Sequence, residues 1–93
     1  MRIIFDPRAR GDLERLFAWI AKDNPKAADD MVARIEARVQ LLATPGFSQM
    51  GRPGLVKGTR ELVVPPYIVV YKVGEAREIV VLSVVHGAQD RRP

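Results

Sequence analysis

The fold is decided by residues 58–71, whose sequence is GTRELVVPPYIVVY. An apolar run occupies residues 62–64, and a second run begins at Tyr67 after two prolines. Apolar β-formers on both sides of a short proline break are typical of two strands joined by a tight connection. We therefore predict a hairpin in the middle of a sheet, with its charges, Arg60 and Glu61, at the start of the first strand.

Two helices are predicted upstream of this hairpin, and each begins with a capping residue followed by proline. Asp6 precedes Pro7, and Asn24 precedes Pro25. Asp and Asn side chains accept hydrogen bonds from N–H groups of the first turn, and proline is tolerated at the first helical position. Apolar residues then recur at spacings of three and four, which places them on one face of each helix. They are Leu13, Leu16, Phe17 and Ile20 in the first helix, and Ala28, Met31, Val32, Ile35, Val39 and Leu42 in the second.

The complete order predicted is βααβββ, in a single domain that spans residues 1–93. A short first strand covers residues 2–5, a Gly/Pro-rich connector covers residues 47–57, and a last strand covers residues 77–85. This order predicts an α+β fold of two layers, with a helical hairpin packed on a small antiparallel-rich sheet. The last strand is apolar on both alternations, which is typical of burial on both faces. Because the helices cover one face only, we expect the chain's own tail or a partner protein to cover the other.

Composition excludes several kinds of site. The chain has no cysteine and a lone histidine, His86, so disulfides, thiolate nucleophiles and Cys-based zinc sites are excluded. We expect no metal site and no cofactor. The N-terminal apolar run of three residues is too short for a secretory signal, and no stretch approaches the roughly 20 apolar residues of a membrane helix. The prediction is a cytoplasmic protein.

The charge balance is compatible with an anionic partner, although composition alone slightly favours an ordinary solubility charge. Fifteen basic residues stand against 11 acidic ones, for a net charge of +4. A small positive domain suits nucleic acid, an enzyme that works on nucleic acid, or an acidic protein. The alternative is an ordinary solubility charge without a specific partner.

The sequence offers few groups for catalysis. No Gly-x-Ser-x-Gly elbow is present, and the remaining possibility is an RNA-cleaving site built from Arg60, Tyr71, His86 and Arg91. Arginine would stabilise charge on the phosphate, and histidine would transfer a proton. In the alternative reading Arg60 pairs with Glu78 or another acid across the sheet, His86 bonds to backbone at a strand end, and Tyr71 belongs to the core.

The chain resembles the RelE/ParE toxins of type II toxin–antitoxin pairs. The resemblance covers nearly the whole chain and rests on five pieces in order: NPKAA at 24–28, GRPG at 51–54, GTRELVV at 58–64, VVY at 69–71 and VHG at 85–87. It implies the same βααβββ fold. It also implies an antitoxin of ParD or RelB type, which lays a helix across the helical hairpin and can add a strand to the sheet. The residues expected to contact it are Leu16, Trp19, Ile20, Arg34 and Arg38. Operator DNA would be bound only through the antitoxin.

The branch of the family that the chain resembles more closely implies the cellular target of the toxin. RelE-like members cut mRNA on the ribosome and carry an arginine three residues before the strand tyrosine that Tyr71 matches. Ile68 stands there in this chain, Gln89 stands where those ribonucleases carry a basic residue, and the tail lacks their tyrosine. The Arg-Glu-Leu-Val-Val and Val-His-Gly pieces look more like ParE toxins, which bind and inhibit DNA gyrase without being nucleases.

The resemblance therefore implies a gyrase-inhibiting binding protein more than an enzyme. The residues predicted to contact the target are Arg52, Lys57, Arg60, His86, Gln89, Arg91 and Arg92. Two alternatives remain. One is a ribosome-dependent mRNA endonuclease, in which Arg60, His86 and Arg91 would be catalytic. The other is an interaction domain that keeps the fold without toxicity.

Overall fold

The computed structural model describes residues 1–87, which form two helices and a five-stranded sheet. The elements are β1 (Arg2–Phe5), α1 (Pro7–Ala21), α2 (Pro25–Leu41), β2 (Arg52–Pro53), β3 (Arg60–Val64), β4 (Tyr67–Val73) and β5 (Glu78–His86). The predicted two-layer order is confirmed with one addition, β2, which lies inside the predicted connector. Two residues, one of them proline, are too few to produce a strand pattern in the sequence. None of the helices within residues 1–87 has the length and apolarity to span a membrane.

Both predicted helix starts are confirmed by their capping hydrogen bonds. The Asp6 carboxylate accepts from the backbone N–H of Arg8 at 2.9 Å, and the Asn24 side chain accepts from Ala27 N–H at 3.0 Å. The two helices pack against each other and cover one face of the sheet, where α1 lies mainly on β5 and α2 on β3.

The strand order is β1-β5-β4-β3-β2, so β4 occupies the middle of the sheet. β1 runs parallel to β5, and the three other pairs are antiparallel. The first strand thus joins the last one, and the hairpin of β3 and β4 connects this pair to the short edge strand β2.

The core lies between the helices and one face of the sheet. Leu62, Val69 and Tyr71 share this face because side chains alternate along a strand and these positions pair across β3 and β4. Ile35 and Val39 of α2 are fully buried against them. One residue of the predicted apolar face of α1 departs from the prediction, because Phe17 is 36% exposed. α1 turns its Ala9 and Leu16 side towards β5, and Phe17 falls at the rim of that contact.

The second face of the sheet is also apolar, as the two-sided pattern of the last strand predicts. The cross-strand register puts these side chains opposite one another on the face away from the helices: Ile4, Val63, Ile68, Val70, Val80 and Val85. Ile68 is 5% exposed and Val63 is 38% exposed, while the other four are half-buried. This face is therefore partly accessible.

A carboxylate from α1 completes the hydrogen bonding of β5. β1 ends at Phe5, and the backbone N–H of Asp6 still donates to Val81 O at 2.9 Å. Beyond that point the chain turns into α1, and Asp12 Oδ2 accepts from the N–H of Val84 at 2.9 Å. An unpaired N–H group in the sheet would cost free energy, so Asp12 takes the place of the missing strand.

Tyr71 fixes the connector onto the sheet. Its side chain is fully buried, which confirms its predicted place in the core. Its hydroxyl donates to Ser48 O at 2.9 Å and accepts from the N–H of Gly51 at 3.0 Å. Gly51 has no room for a side chain, because an added Cβ would lie 2.6 Å from Glu61 O.

We expect Tyr71→Phe to destabilise the domain by about 1–3 kcal/mol, because it leaves the buried N–H of Gly51 and the half-buried carbonyl of Ser48 without their partner. Urea unfolding followed by far-ultraviolet circular dichroism measures the change. Trp19 fluorescence is a poor probe because that side chain is 70% exposed.

Tyr67→Phe is the matched control. Tyr67 is also buried in the core, and within residues 1–87 its hydroxyl forms no hydrogen bond. An equal loss of stability in both variants would contradict the role given to the Tyr71 hydroxyl.

Candidate functional site

Arg60 and His86, two of the residues predicted for catalysis, lie far apart along the sheet. Arg60 pairs with Tyr71, whereas His86 pairs with Tyr67 at the other end of β4. Four residues along a strand correspond to roughly 13 Å. Arg91 lies outside the described residues. The structure therefore does not bring Arg60 and His86 into one ribonuclease site.

Arg60 holds the connector in place. Its Nη2 donates to Gln49 O at 3.1 Å and also to Gly51 O. Its Nε is buried and has no hydrogen-bond acceptor within residues 1–87. The suggested pairing with Glu78 is wrong, because β4 separates the two strands and Glu78 pairs with Arg2 instead. Arg60 and Tyr71 thus form hydrogen bonds to the same stretch of backbone, residues 48–51.

Arg52 lies directly opposite Glu61 in the β2–β3 register. Its Nε is 3.1 Å from Glu61 Oε1. The carboxylate belongs to a residue only 4% exposed, while the Arg52 side chain is 55% exposed. A buried carboxylate requires a positively charged or hydrogen-bonding partner. The Arg52 guanidinium therefore serves in part as the partner of Glu61 within the sheet.

Lys57 lies on the turn that joins β2 to β3. The N–H of Gly54 donates to Thr59 O at 2.9 Å, and the N–H of Thr59 donates to Val56 O at 3.0 Å. Gly58 adopts a φ of +88°, a left-handed conformation that a side chain would disfavour. Lys57 is exposed on this turn.

The remaining target-binding candidates are His86, the last residue of β5, and three residues that follow it in the sequence. His86 is exposed, and its ring lies edge-on to Tyr67 with the ring centroids 5.4 Å apart. Gln89, Arg91 and Arg92 lie outside the described residues. Ile68, where RelE-like ribonucleases place an arginine, is 5% exposed beside Val85 of β5.

The predicted antitoxin contacts divide into surface and core. Trp19 is 70% exposed and lies 5.0 Å from Lys22 Nζ, and Arg34 is exposed on α2. Ile20 is half-buried against the core, and Leu16 is 7% exposed within it, which leaves little of the Leu16 side chain for a partner.

Arg38 lies in a cleft of about 230 Å³ between α2 and the edge of the sheet. Met50, Arg52 and Glu61 also line this cleft. Arg38 is half-buried and shares the lining of this cleft with the Arg52–Glu61 pair.

Exposed apolar residues of the connector were not among the predicted site residues. Nine large apolar side chains are exposed within residues 1–87, and four belong to positions 47–56: Phe47, Met50, Leu55 and Val56. One feature of the sequence could have identified these exposed residues: they are apolar residues in a Gly/Pro-rich segment that has neither helical nor strand periodicity.

Comparisons with known proteins agree with this architecture. The family model of ParE toxins of type II toxin–antitoxin systems matches residues 3–91. The candidate toxin Y4kP of Sinorhizobium fredii is 42% identical over 90 residues, which is 95% of this chain and 90% of that protein.

Two solved structures share the fold. A chain of the chromosomal ParDE toxin–antitoxin system from P. aeruginosa matches with a TM-score of 0.80 and 25% identity, over 92% of this chain and 95% of the other. A chain of the RelBE2 toxin–antitoxin complex from Mycobacterium tuberculosis matches with a TM-score of 0.61 and 20% identity, over 91% and 95%.

The helical hairpin on a small mixed sheet therefore defines a toxin fold of the RelE/ParE type. More narrowly, the chain belongs to the family of ParE toxins of type II toxin–antitoxin systems. The predicted family and the preference for its ParE branch are confirmed.

We expect Arg60→Ala to lower the free energy of unfolding by about 1.5–3 kcal/mol, because hydrogen bonds from a charged group hold the carbonyls of Gln49 and Gly51. Urea unfolding of the purified domain measures this loss. Lys57→Ala is the control, because Lys57 is an exposed cation of the adjacent turn. Equal stability of the two variants would show that Arg60 does not anchor the connector.

Proposed function

We propose that this toxin binds and inhibits DNA gyrase, without catalysing a reaction of its own, and that a cognate antitoxin neutralises it. The proposal places the protein in the cytoplasm, where gyrase works. The observation that carries the proposal is the separation of Arg60 from His86 by four residues along β4, or roughly 13 Å. An RNA-cleaving site needs its cation and its proton-transfer group around one phosphate. Membership of the ParE family supports gyrase as the target.

Burial of Ile68 adds a second argument against RNA cleavage. The side chain is 5% exposed among the strands of the sheet. The position used for a phosphate-binding arginine in RelE-like members is therefore filled by an aliphatic residue. The net charge of +4 suits approach to an enzyme that works on DNA.

Induced expression without antitoxin should stop DNA synthesis before protein synthesis. Pulse-labelling of both processes measures the order, and purified gyrase should accumulate cleaved DNA when the toxin is added. An early stop of protein synthesis, with mRNA cut within codons, would instead favour the endonuclease alternative. Unchanged growth and synthesis would favour the non-toxic interaction domain.

The antitoxin is proposed to bind the outer face of the helical hairpin. Trp19 is 70% exposed and Phe17 is 36% exposed on α1. Tryptophan is enriched in protein interfaces, where it often contributes a large share of the binding free energy. Both structural neighbours come from toxin–antitoxin systems, which supports a partner of this kind.

We expect Trp19→Ala to weaken antitoxin binding by about tenfold or more, because an exposed tryptophan supplies much of the available apolar contact area. Titration calorimetry with the antitoxin measures affinity, and thermal unfolding checks the free toxin, which should be unchanged. Wild-type toxin should gain thermal stability from the antitoxin by mass action.

Lys26→Ala serves as the control, since Lys26 is exposed on α2 and pairs with the exposed Asp30. If Trp19→Ala binds the antitoxin as tightly as this control does, the antitoxin surface lies elsewhere.

A further inference from the structure

The β2–β3 hairpin ends in an apolar tip. We define the hairpin tip as residues 55–58, in which Leu55 is 50% exposed and Val56 is 68% exposed. Turns usually carry Gly, Pro, Asn, Asp or Ser, because these residues either suit the backbone or bond to it. Two adjacent aliphatic side chains in this turn are not stabilised by burial in the core. Their exposure therefore requires another explanation.

The tip is held in one conformation by its own hydrogen bonds. Gly54 N–H donates to Thr59 O, and Val56 O accepts from both the N–H of Thr59 and its hydroxyl, the latter at 2.6 Å. Gly54 packs against Thr59 so closely that an added Cβ would lie 2.2 Å from the threonine hydroxyl. A segment that is already ordered loses little conformational entropy when it binds a partner.

The tip belongs to a segment of the chain that is rich in exposed apolar residues. Four of the nine exposed large apolar residues within residues 1–87 lie in the ten positions 47–56. Single exposed apolar residues are ordinary on protein surfaces, but contiguous ones mark an interaction site, and Leu55 and Val56 are neighbours in the tip.

Cations surround this end of the sheet. Lys57 belongs to the tip, and Lys72 and Arg77 are exposed near the adjoining end of β4 and the turn that follows. The acidic residues nearby are Glu75, which is exposed, and Glu78, which pairs with Arg2. The local balance is positive, so a complementary surface would be apolar at its centre and acidic at its rim.

We propose that the hairpin tip inserts Leu55 and Val56 into an apolar, acid-rimmed pocket of the toxin's target enzyme. This inference rests on the proposed function, in which that enzyme is DNA gyrase. A protein pocket fits better than nucleic acid, because the tip offers no aromatic side chain for stacking on bases. It also fits better than a lipid surface, which would need a larger apolar face with several bulky side chains.

The tip is separate from Trp19, the residue on which the antitoxin proposal is tested. α1, which carries Trp19, packs on β5, whereas the tip continues from β2 and β3 at the opposite edge of the sheet. β5 and β3 are two strands apart, or about 10 Å, and the tip lies further out. The tip can thus be changed while the surface around Trp19 stays intact.

The test uses full-length toxin that carries the double substitution Leu55→Gln and Val56→Gln. Leu41→Gln is the matched control, since Leu41 is 42% exposed on α2, outside the tip. Five quantities are measured for each protein: cleaved DNA produced by purified gyrase, toxin binding to gyrase without DNA, antitoxin affinity, binding to bare DNA, and binding to anionic phospholipid vesicles. Thermal unfolding confirms that each variant is folded.

The double variant should lose about tenfold or more in both gyrase measurements, because polar side chains cannot replace aliphatic ones in an apolar pocket. Its antitoxin affinity and thermal midpoint should match the control. Val56→Ile, which keeps an aliphatic side chain, should retain inhibition.

Other results would overturn the inference in distinguishable ways. A wild-type toxin without effect on gyrase overturns the proposed function and the inference together. A double variant that inhibits as well as wild type overturns the inference alone. Loss of antitoxin affinity with inhibition retained would assign the tip to the antitoxin. Loss confined to binding of bare DNA, or of anionic phospholipid vesicles, would assign it to those partners.

Discussion

The position of the connector and of strand β2 depends on one contact, the buried hydroxyl of Tyr71. It joins the middle strand of the sheet to Ser48 and Gly51, about 20 residues earlier in the chain. Gly51 can approach so closely because it lacks a side chain, and Arg60 bonds to carbonyls of the same stretch. These contacts bring Arg52 and Pro53 beside β3. The position of the hairpin tip is therefore a consequence of contacts made far from it.

Several polar residues hold the structure together through bonds within the domain. Arg60 donates to backbone carbonyls, Glu61 pairs with Arg52 while nearly buried, and Asp12 accepts from the backbone of β5. Buried polar groups need partners, and each of these three supplies one. What remains accessible is a set of surfaces, with Trp19 on the helical layer and Val56 at the sheet edge. Such an arrangement suits a protein that acts by binding.

The parts of the fold that could be predicted are those governed by local rules. Asp6 and Asn24 cap helices through neighbours two or three residues away, and the stripe around Ile35 repeats with the helical period. The roles of Arg60 and Asp12 depend on segments 9 to 72 residues distant, and no periodicity records such approaches. The sequence did not predict the exposure of Phe17. The spacing of apolar residues gives the direction of a helical face, but it does not give the width of the contact between that face and the sheet. Resemblance supplied the family, but no pattern distinguished the Val56 surface from an ordinary connector.

The parallel pairing of β1 with β5 has a consequence for how the toxin is made. Arg2 lies opposite Glu78, so the edge of the sheet joins residues 76 positions apart. Chains emerge from the ribosome N-terminus first, at about 5–20 residues per second. The helical hairpin can form early from local contacts, whereas β1 must wait for nearly all of the described chain before its neighbour exists. A nascent toxin consequently lacks its β1–β5 pair, and with it one edge of the sheet, until late in synthesis.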